Sequence, residues 1–312
     1  MAICAAIDVG TNTLRLLVAE SGGRDSFTVL HEEQEITRLG EGLTPARTLQ
    51  DAPRRRSLIV LKRFAEVARR FRVEQVAVVA TSAVREAKNG EEFVGEAARE
   101  TGLVIRVIDG KEEARLTLLG VRHGLCIGSQ RVLVMDIGGG STEFVLARGE
   151  LIEGLVSTGL GVVKLTEAHL GSDPPSRAEL RELEEAVLTR IERLRRELPA
   201  LEGSCLIGTA GTLTTLAAID LGLVVYDRQK VQGHRLALSR VRDLFTQLAQ
   251  LPLRKRRQVA GLESGRADVI LAGTAILAVS MEQLGYDELQ VSDDGLREGI
   301  LLDLLRSTAP RG

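Results

Sequence analysis

A seven-residue pattern occurs twice in this chain. Ile7-Asp8-Val9-Gly10-Thr11-Asn12-Thr13 is matched in kind, 136 − 8 = 128 positions later, by Met135-Asp136-Ile137-Gly138-Gly139-Gly140-Ser141. Each copy closes an apolar run with a carboxylate, an apolar residue, a glycine, two small residues and a hydroxyl. A second strand-like segment follows each, Leu14–Ala19 or Phe144–Ala147. Both copies therefore read as strand, tight turn, strand, and neither as the strand, glycine loop and helix of a P-loop. A repeated unit in 312 residues, a length too great for one ordinary core, predicts two domains of related fold.

The intervening sequence alternates strand and helix. In the first half, strands are expected at Ile3–Val9, Leu14–Ala19, Ser26–His31, near Glu35–Arg38, at Val76–Ala80 (buried on both faces) and at Leu103–Ile108. Helices are expected at Ser57–Phe71, at Glu91–Thr101 ending on Gly102, and at Lys111–Val121. The pattern restarts with strands Arg131–Met135, Glu143–Ala147 and Leu151–Val156 and helices Val162–Leu170 and Arg177–Leu198. Strand Ser204–Ile207 opens a third glycine turn, Ile207-Gly208-Thr209-Ala210-Gly211-Thr212. Helices near Ser239–Gln250, Arg266–Leu284 and Leu296–Leu305 complete a mixed α/β chain.

A net charge of −2 and 27% charged residues give no global signal for nucleic acid or a membrane surface. Arg54-Arg55-Arg56, Arg69-Arg70 with Arg72, and Arg254-Lys255-Arg256-Arg257 read as solvated faces or as parts of a polyanion track. Cys4, Cys126 and Cys205 lie in or beside apolar stretches without metal spacing, and are expected as buried free thiols in a reducing compartment. MAICAAIDVG has no basic leader and no apolar run approaches the about 20 residues of a membrane helix, so a cytoplasmic protein is expected.

The turns carry the chemistry. Gly permits both unusual dihedrals and close approach of an oxygen, and consecutive amides make an anion site. Thr11, Asn12, Thr13 and Ser141 add side-chain donors. Asp8 and Asp136 would repel a phosphate unless a divalent cation, Mg²⁺ held largely through water, sat between. Either turn alone is explained by the ordinary preference of Asp, Gly, Asn and Ser for turns. The pair in matching strand contexts points to phosphate.

Paired hairpins of this form resemble the two phosphate loops of the actin, heat-shock-protein and sugar-kinase superfold, where the third turn, GTAGT, stands at the adenosine motif. Further segments occur in the order of one family: ATSAVREA (80–87), EEARL (112–116), DIGGGSTE, Ser157–Leu165 with Leu160-Gly161, GTAGT and VSDDGLREG (291–299). Together they resemble the exopolyphosphatase/guanosine pentaphosphate phosphohydrolase (Ppx/GppA) family in its short two-domain form, over nearly the whole chain.

The resemblance implies two duplicated actin-like (ribonuclease H-like) α/β domains, mixed sheets flanked by helices, with the active site in the interdomain cleft. The first would comprise 1–123 with a C-terminal helix at about 297–312, the second 124–296. It implies release of terminal orthophosphate from inorganic polyphosphate or guanosine pentaphosphate by metal-assisted water attack, with Mg²⁺ or Mn²⁺. The implied catalytic residues are Glu113, which activates water, and Arg85, a phosphate clamp. Gly10, Thr11, Asn12, Thr13, Gly138, Gly139, Gly140, Ser141, Gly161, Gly208 and Gly211 are the implied phosphate and substrate contacts, and Asp8, Asp136 and Glu143 associate with metal. Neighbouring Lys111 and Arg115 are expected to keep Glu113 ionised. Apart from the resemblance, Glu112 and Glu113 read as acids facing a helix dipole, and Arg85 as a surface partner of Glu86 or Glu91. An ATP-dependent kinase of the same superfold and a non-catalytic guanosine-polyphosphate regulator are the alternatives. A monomer or homodimer without nucleic-acid or membrane partners is expected.

Overall fold

The computed structural model describes residues 2–23 and 25–308. Two compact units divide the chain, one formed by residues up to His123 together with those from Gly295 onward, the other by Gly124–Asp294.

In the first unit β1 (Ile3–Val9), β2 (Thr13–Gly23) and β3 (Ser26–Ile36) form an antiparallel meander, followed by α1 (Asp51–Arg70), β4 (Gln75–Ala80), α2 (Ser82–Glu86), α3 (Gly90–Thr101), β5 (Ile105–Val107) and α4 (Gly110–Leu125). The sheet order is β3-β2-β1-β4-β5, with β4 parallel to β1 and β5 parallel to β4. Period-2 alternation in β1 sorts its side chains. Ala5, Ile7 and Val9 join one core with Leu58, Leu61 and Phe64 of α1, while Cys4 and Ala6 join the other with Leu116 of α4.

The second unit repeats this order with additions: β6 (Arg131–Ile137), β7 (Thr142–Arg148), β8 (Leu151–Thr158), α5 (Val162–His169), α6 (Arg177–Glu197), β9 (Cys205–Thr209), α7 (Ala210–Asp220), α8 (Arg228–Val231), β10 (Arg235–Ala237), α9 (Leu238–Ala249), α10 (Leu253–Arg256), α11 (Ile270–Leu284) and β11 (Glu288–Val291). Its sheet runs β10-β11-β9-β6-β7-β8, again an antiparallel meander beside parallel strands. A single core, mostly aliphatic but with Phe144 and Phe245, fills it, centred on α11, where every residue from Ile270 to Met281 is buried. Ser176 and Glu179 form a capping box that starts α6, and hydrogen bonds from the Ser172 hydroxyl, then from the Ser176 and Gly171 amides, hold the Glu179 carboxyl far below its usual range.

The last helix, α12 (Leu296–Thr308), belongs to the first unit and packs Leu296, Ile300, Leu301 and Leu305 against β1 and Leu116. A Cβ on Gly299 would lie 1.8 Å from the Leu116 carbonyl oxygen, and one on Gly120 2.0 Å from that of Gly295. Helices α4 and α12 therefore meet backbone to backbone, which only glycine permits. Buried Glu298 caps α12 by accepting from the Gly295 amide at 2.9 Å, and Arg297 bridges it to Glu32 of β3 at 3.0 Å.

Several boundaries differ from the sequence expectations. Strands expected at Ser26–His31 and Glu35–Arg38 are one strand, β3, whose Glu33 and Glu35 pair with Arg63 of α1; these acids interrupt the apolar alternation. Helix α1 begins at Asp51 because Pro53 sits in the first turn, where its missing N–H costs nothing. In β4 only Val78–Ala80 are buried, and Val76 is 37% exposed. Cys4 is buried, but Cys126 and Cys205 are exposed, because one follows the end of α4 and the other opens β9 at the sheet's rim. The basic runs do not form a uniform track. Arg54 pairs with Glu92 and Glu96, Arg56 with Glu41, and Arg256 is buried, donating to the carbonyls of Leu248, Leu251 and Ala267. Among the described residues no helix is long and apolar enough to cross a membrane.

Candidate active site

Both repeated turns are four residues long. The ladder of β1 and β2 closes on Val9 and Leu14, and that of β6 and β7 on Ile137 and Thr142. The same bond spans each turn, from the Gly10 amide to the Thr13 carbonyl at 3.1 Å and from the Gly138 amide to the Ser141 carbonyl at 2.9 Å. Carbonyls elsewhere in the turns are taken by neighbouring segments. Arg38 and Gly40 amides bond Asn12 and Thr11 at 2.9 and 2.8 Å, and Val162 and Val163 amides bond Gly138 and Gly139 at 3.1 and 2.9 Å. With their oxygens tied back, the amides of Thr11 and Asn12, and those of Gly139, Gly140 and Ser141, have no intramolecular acceptor among the described residues. Such runs of unpaired N–H groups are what an anion's oxygens require.

In the first unit Thr11 is committed to structure. Its hydroxyl shares a hydrogen bond of 2.7 Å with that of Ser82 and accepts from the Ala83 amide at 3.2 Å, tying the turn to α2. Asn12 and Thr13 are buried in the turn, and the Asn12 Oδ1 has no partner among the described residues. Asp8, at the end of β1, stands across the ladder from Arg15. Sequence reading passed over Arg15, whose signal is its position directly beyond the turn and opposite Asp8.

Helix α2 carries Arg85, and its partner is neither Glu86 nor Glu91. One nitrogen, Nη1, donates to the Ile108 carbonyl at 2.7 Å and to Glu113 Oε2 at 3.1 Å. Glu113 is 7% exposed, in the first turn of α4. Asp109 precedes that helix and takes the Glu112 amide at 2.8 Å. The expectation that Arg115 serves Glu113 is not met. Arg115 reaches back one turn to Glu112, through Nε at 2.8 Å and Nη2 at 3.0 Å, and across to Asp303 of α12 at 2.8 Å. Hydrogen bonding from Arg115, aided by Arg106, holds the Glu112 carboxyl below the usual range despite partial burial. Neighbouring carboxylates thus have separate cations, Glu112 that of Arg115 and Glu113 that of Arg85.

In the second unit Asp136 and Glu143 are directly opposed in the β6/β7 ladder, 8% and 1% exposed. Glu143 accepts from the Ser157 hydroxyl at 2.7 Å. Gly161 lies behind the turn, where a Cβ would come within 2.3 Å of the Gly140 carbonyl carbon; its contribution is to let α5 start against the glycines. Gly208 faces Leu213 and Leu289, and Gly211 lies under the Arg266 guanidinium. The third glycine turn is a strand-to-helix junction, with β9 entering α7 through Ala210 at φ 72°. Asp8, Gly10–Thr13, Arg85 and Glu113 thus come together in one unit, and Asp136, Gly138–Ser141, Glu143 and Gly161 in the other. Gly208 pairs with Met135 across the β6/β9 ladder, and Gly211 opens α7 beyond it.

No group of three or more His, Cys, Asp or Glu side chains is assembled to hold a metal among the described residues. The donor set is one of isolated or paired buried carboxylates, which suits an ion that takes most of its ligands from water and phosphate oxygens.

Comparison with known proteins agrees with this geometry. The family model described as "Ppx/GppA phosphatase family" matches residues 17–308. Exopolyphosphatase 2 of Mycobacterium tuberculosis is 33% identical over 96% of this chain and 98% of its own. The guanosine-5'-triphosphate,3'-diphosphate pyrophosphatase of Aeromonas hydrophila is 30% identical over 96% of this chain and 59% of its own. Among solved structures, an exopolyphosphatase from Cytophaga hutchinsonii superposes with a TM-score of 0.90 at 27% identity, covering 98% of both chains. The Aquifex aeolicus Ppx/GppA family member gives 0.81 at 34%, covering 98% of this chain and 99% of that one. With the paired turns, the glutamate-bearing helix and a match along almost its whole length, the chain belongs to the Ppx/GppA phosphatase family.

Proposed function

We propose that this protein hydrolyses the terminal phosphoanhydride bond of a linear phosphate chain, inorganic polyphosphate or guanosine 5′-triphosphate 3′-diphosphate, and releases orthophosphate. The observation that carries the reading is Glu113, a nearly buried carboxylate at the start of α4, held by Arg85 in the unit that also presents the unpaired amides of Thr11 and Asn12. Relatives that act on either substrate by name support both.

In this mechanism the turn amides and Arg85 bind the terminal phosphate oxygens, and Glu113 accepts a proton from water. The water oxygen bonds to the terminal phosphorus as the bridging P–O bond breaks, and the shortened chain leaves with the bridging oxygen's electron pair. A divalent cation, Mg²⁺ or Mn²⁺, would supply charge neutralisation for the phosphates, and the carboxylates proposed to associate with it are Asp8 in the first unit and Asp136 with Glu143 in the second. The orphaned Asn12 Oδ1 is a fitting acceptor for water carried by such an ion. Cys126 and Cys205, exposed and outside any disulfide among the described residues, favour a reducing, cytoplasmic setting for a monomer or homodimer.

Glu113→Gln is expected to lower kcat about 10²- to 10⁴-fold with either substrate, the range of a positioned general base. Full orthophosphate release by the purified variant would remove Glu113 from this role.

A further inference from the structure

We infer that Arg85 is a fixed bridge that positions Glu113 with one face of its guanidinium while offering the opposite edge to phosphate. The inference rests on the reading of Glu113 as the base.

Both protein bonds of Arg85 leave from the same atom. Nη1 has two hydrogens, and its two acceptors are the Ile108 carbonyl, at the strand side of the Asp109 cap, and Glu113 Oε2. Nε and Nη2 have no protein partner among the described residues, and the side chain is 24% exposed against 9% for Glu113. Nε and Nη2 form one edge of the planar fork, with parallel N–H groups spaced for two oxygens of a phosphate or carboxylate. A phosphate can therefore take that edge without displacing Glu113.

The anchoring is doubled. The Arg85 amide bonds the Thr81 carbonyl at 3.0 Å, while the Thr81 amide reaches Val9 at 3.3 Å and Thr11 holds Ser82 and Ala83. The helix that carries Arg85 is thus attached to the turn with the free amides, and the guanidinium is attached to the helix that carries the base. Placing the carboxylate relative to the bound phosphate becomes a property of one planar group. A lysine cannot reproduce this, because a point charge on a flexible stem has no opposed edges.

The experiment compares Arg85→Lys with wild type, and repeats the substitution in Glu113→Gln, measuring kcat and KM for orthophosphate release from polyphosphate. Arg85→Lys, which keeps the charge and is the variant more certain to fold, is expected to lower kcat about 10²-fold and raise KM less than about tenfold, as an error near 1 Å at a reacting group does. In the Glu113→Gln background the same change is expected to lower kcat less than about threefold. A kcat loss below about tenfold in the first case, or one of equal size in both backgrounds, overturns the bridge. Failure of the functional reading looks different: wild type would release no orthophosphate, or Glu113→Gln would match it.

Discussion

The two turns solve one problem by opposite means. Both must hold a row of amides outward at fixed spacing, and both turn their carbonyls back onto a neighbouring segment. In the first, stiffness comes from a side chain: Thr11 reaches Ser82 and the Ala83 amide, and its neighbours Asn12 and Thr13 are buried. In the second it comes from the absence of side chains, as Gly161 abuts Gly140 and the first amides of α5 cap Gly138 and Gly139. The carboxylates differ likewise. Asp8 stands opposite a cation, Arg15, and Asp136 opposite a second acid, Glu143. A duplicated element has kept its backbone and exchanged the devices that hold it, so the two copies fail differently under mutation.

The largest break is expected at the turn with three glycines. Gly161→Ala places a methyl group inside the contact distance of Gly140 and must displace the turn. It should lower kcat/KM about 10²-fold and destabilise the second unit by about 1–3 kcal/mol, read by steady-state kinetics and thermal melting. A variant with unchanged kinetics would mean that the turn's position is set elsewhere. Thr11→Val should cost less. It keeps shape and loses two buried hydrogen bonds, the one shared with Ser82 and the one from the Ala83 amide, for about 1–2 kcal/mol of stability, with kcat/KM down about tenfold by the same misplacement argument. Loss as large as that of Gly161→Ala would show the two turns to be equally dependent on their braces.

The smallest effect calibrates both, since it touches neither turn. Glu112 has its carboxyl lowered in the folded state by Arg115 and Arg106. A lowered folded value means stability that is present above the ordinary carboxylate range, about 4.3, and is lost as pH falls through the folded value. Glu112→Gln should therefore melt slightly below wild type at pH 7, by no more than about 1 kcal/mol for such a partly exposed pair, and the gap should close toward pH 3. A gap that is constant with pH would assign the effect to packing.

Much of this was legible in the residues. The repeat located both turns, and the registers confirm them as hairpins, because a strand-bounded Asp-x-Gly with small residues leaves the backbone few alternatives. Helix α7 was not legible. Its sequence, AGTLTTLAAID, is buried on nearly every side, so it lacks the 3.6-residue alternation that marks a helix with a wet face, and GTAGT read as a turn. Nor were the partners of the acids. Sequence proximity favoured Arg115 for Glu113, but one helical turn sends Arg115 to Glu112 and Asp303, while Arg85 arrives from another element, 28 residues away in sequence. Arg256 likewise read as part of a charged run, since only packing shows three backbone carbonyls closing round it.

The backbone contact between α4 and α12 sets an order of assembly. The second unit's residues all precede α12 in the chain, so during synthesis that unit can close while the first still lacks a helix. Until α12 emerges, the Gly120 face of α4 has no cover, the cluster of Leu116 with β1 lacks its α12 side, and Arg115 has no Asp303. The helix that bears Glu113 is thus completed late in translation, and a partly made chain would hold a finished phosphate turn in its second unit beside an unfinished catalytic one.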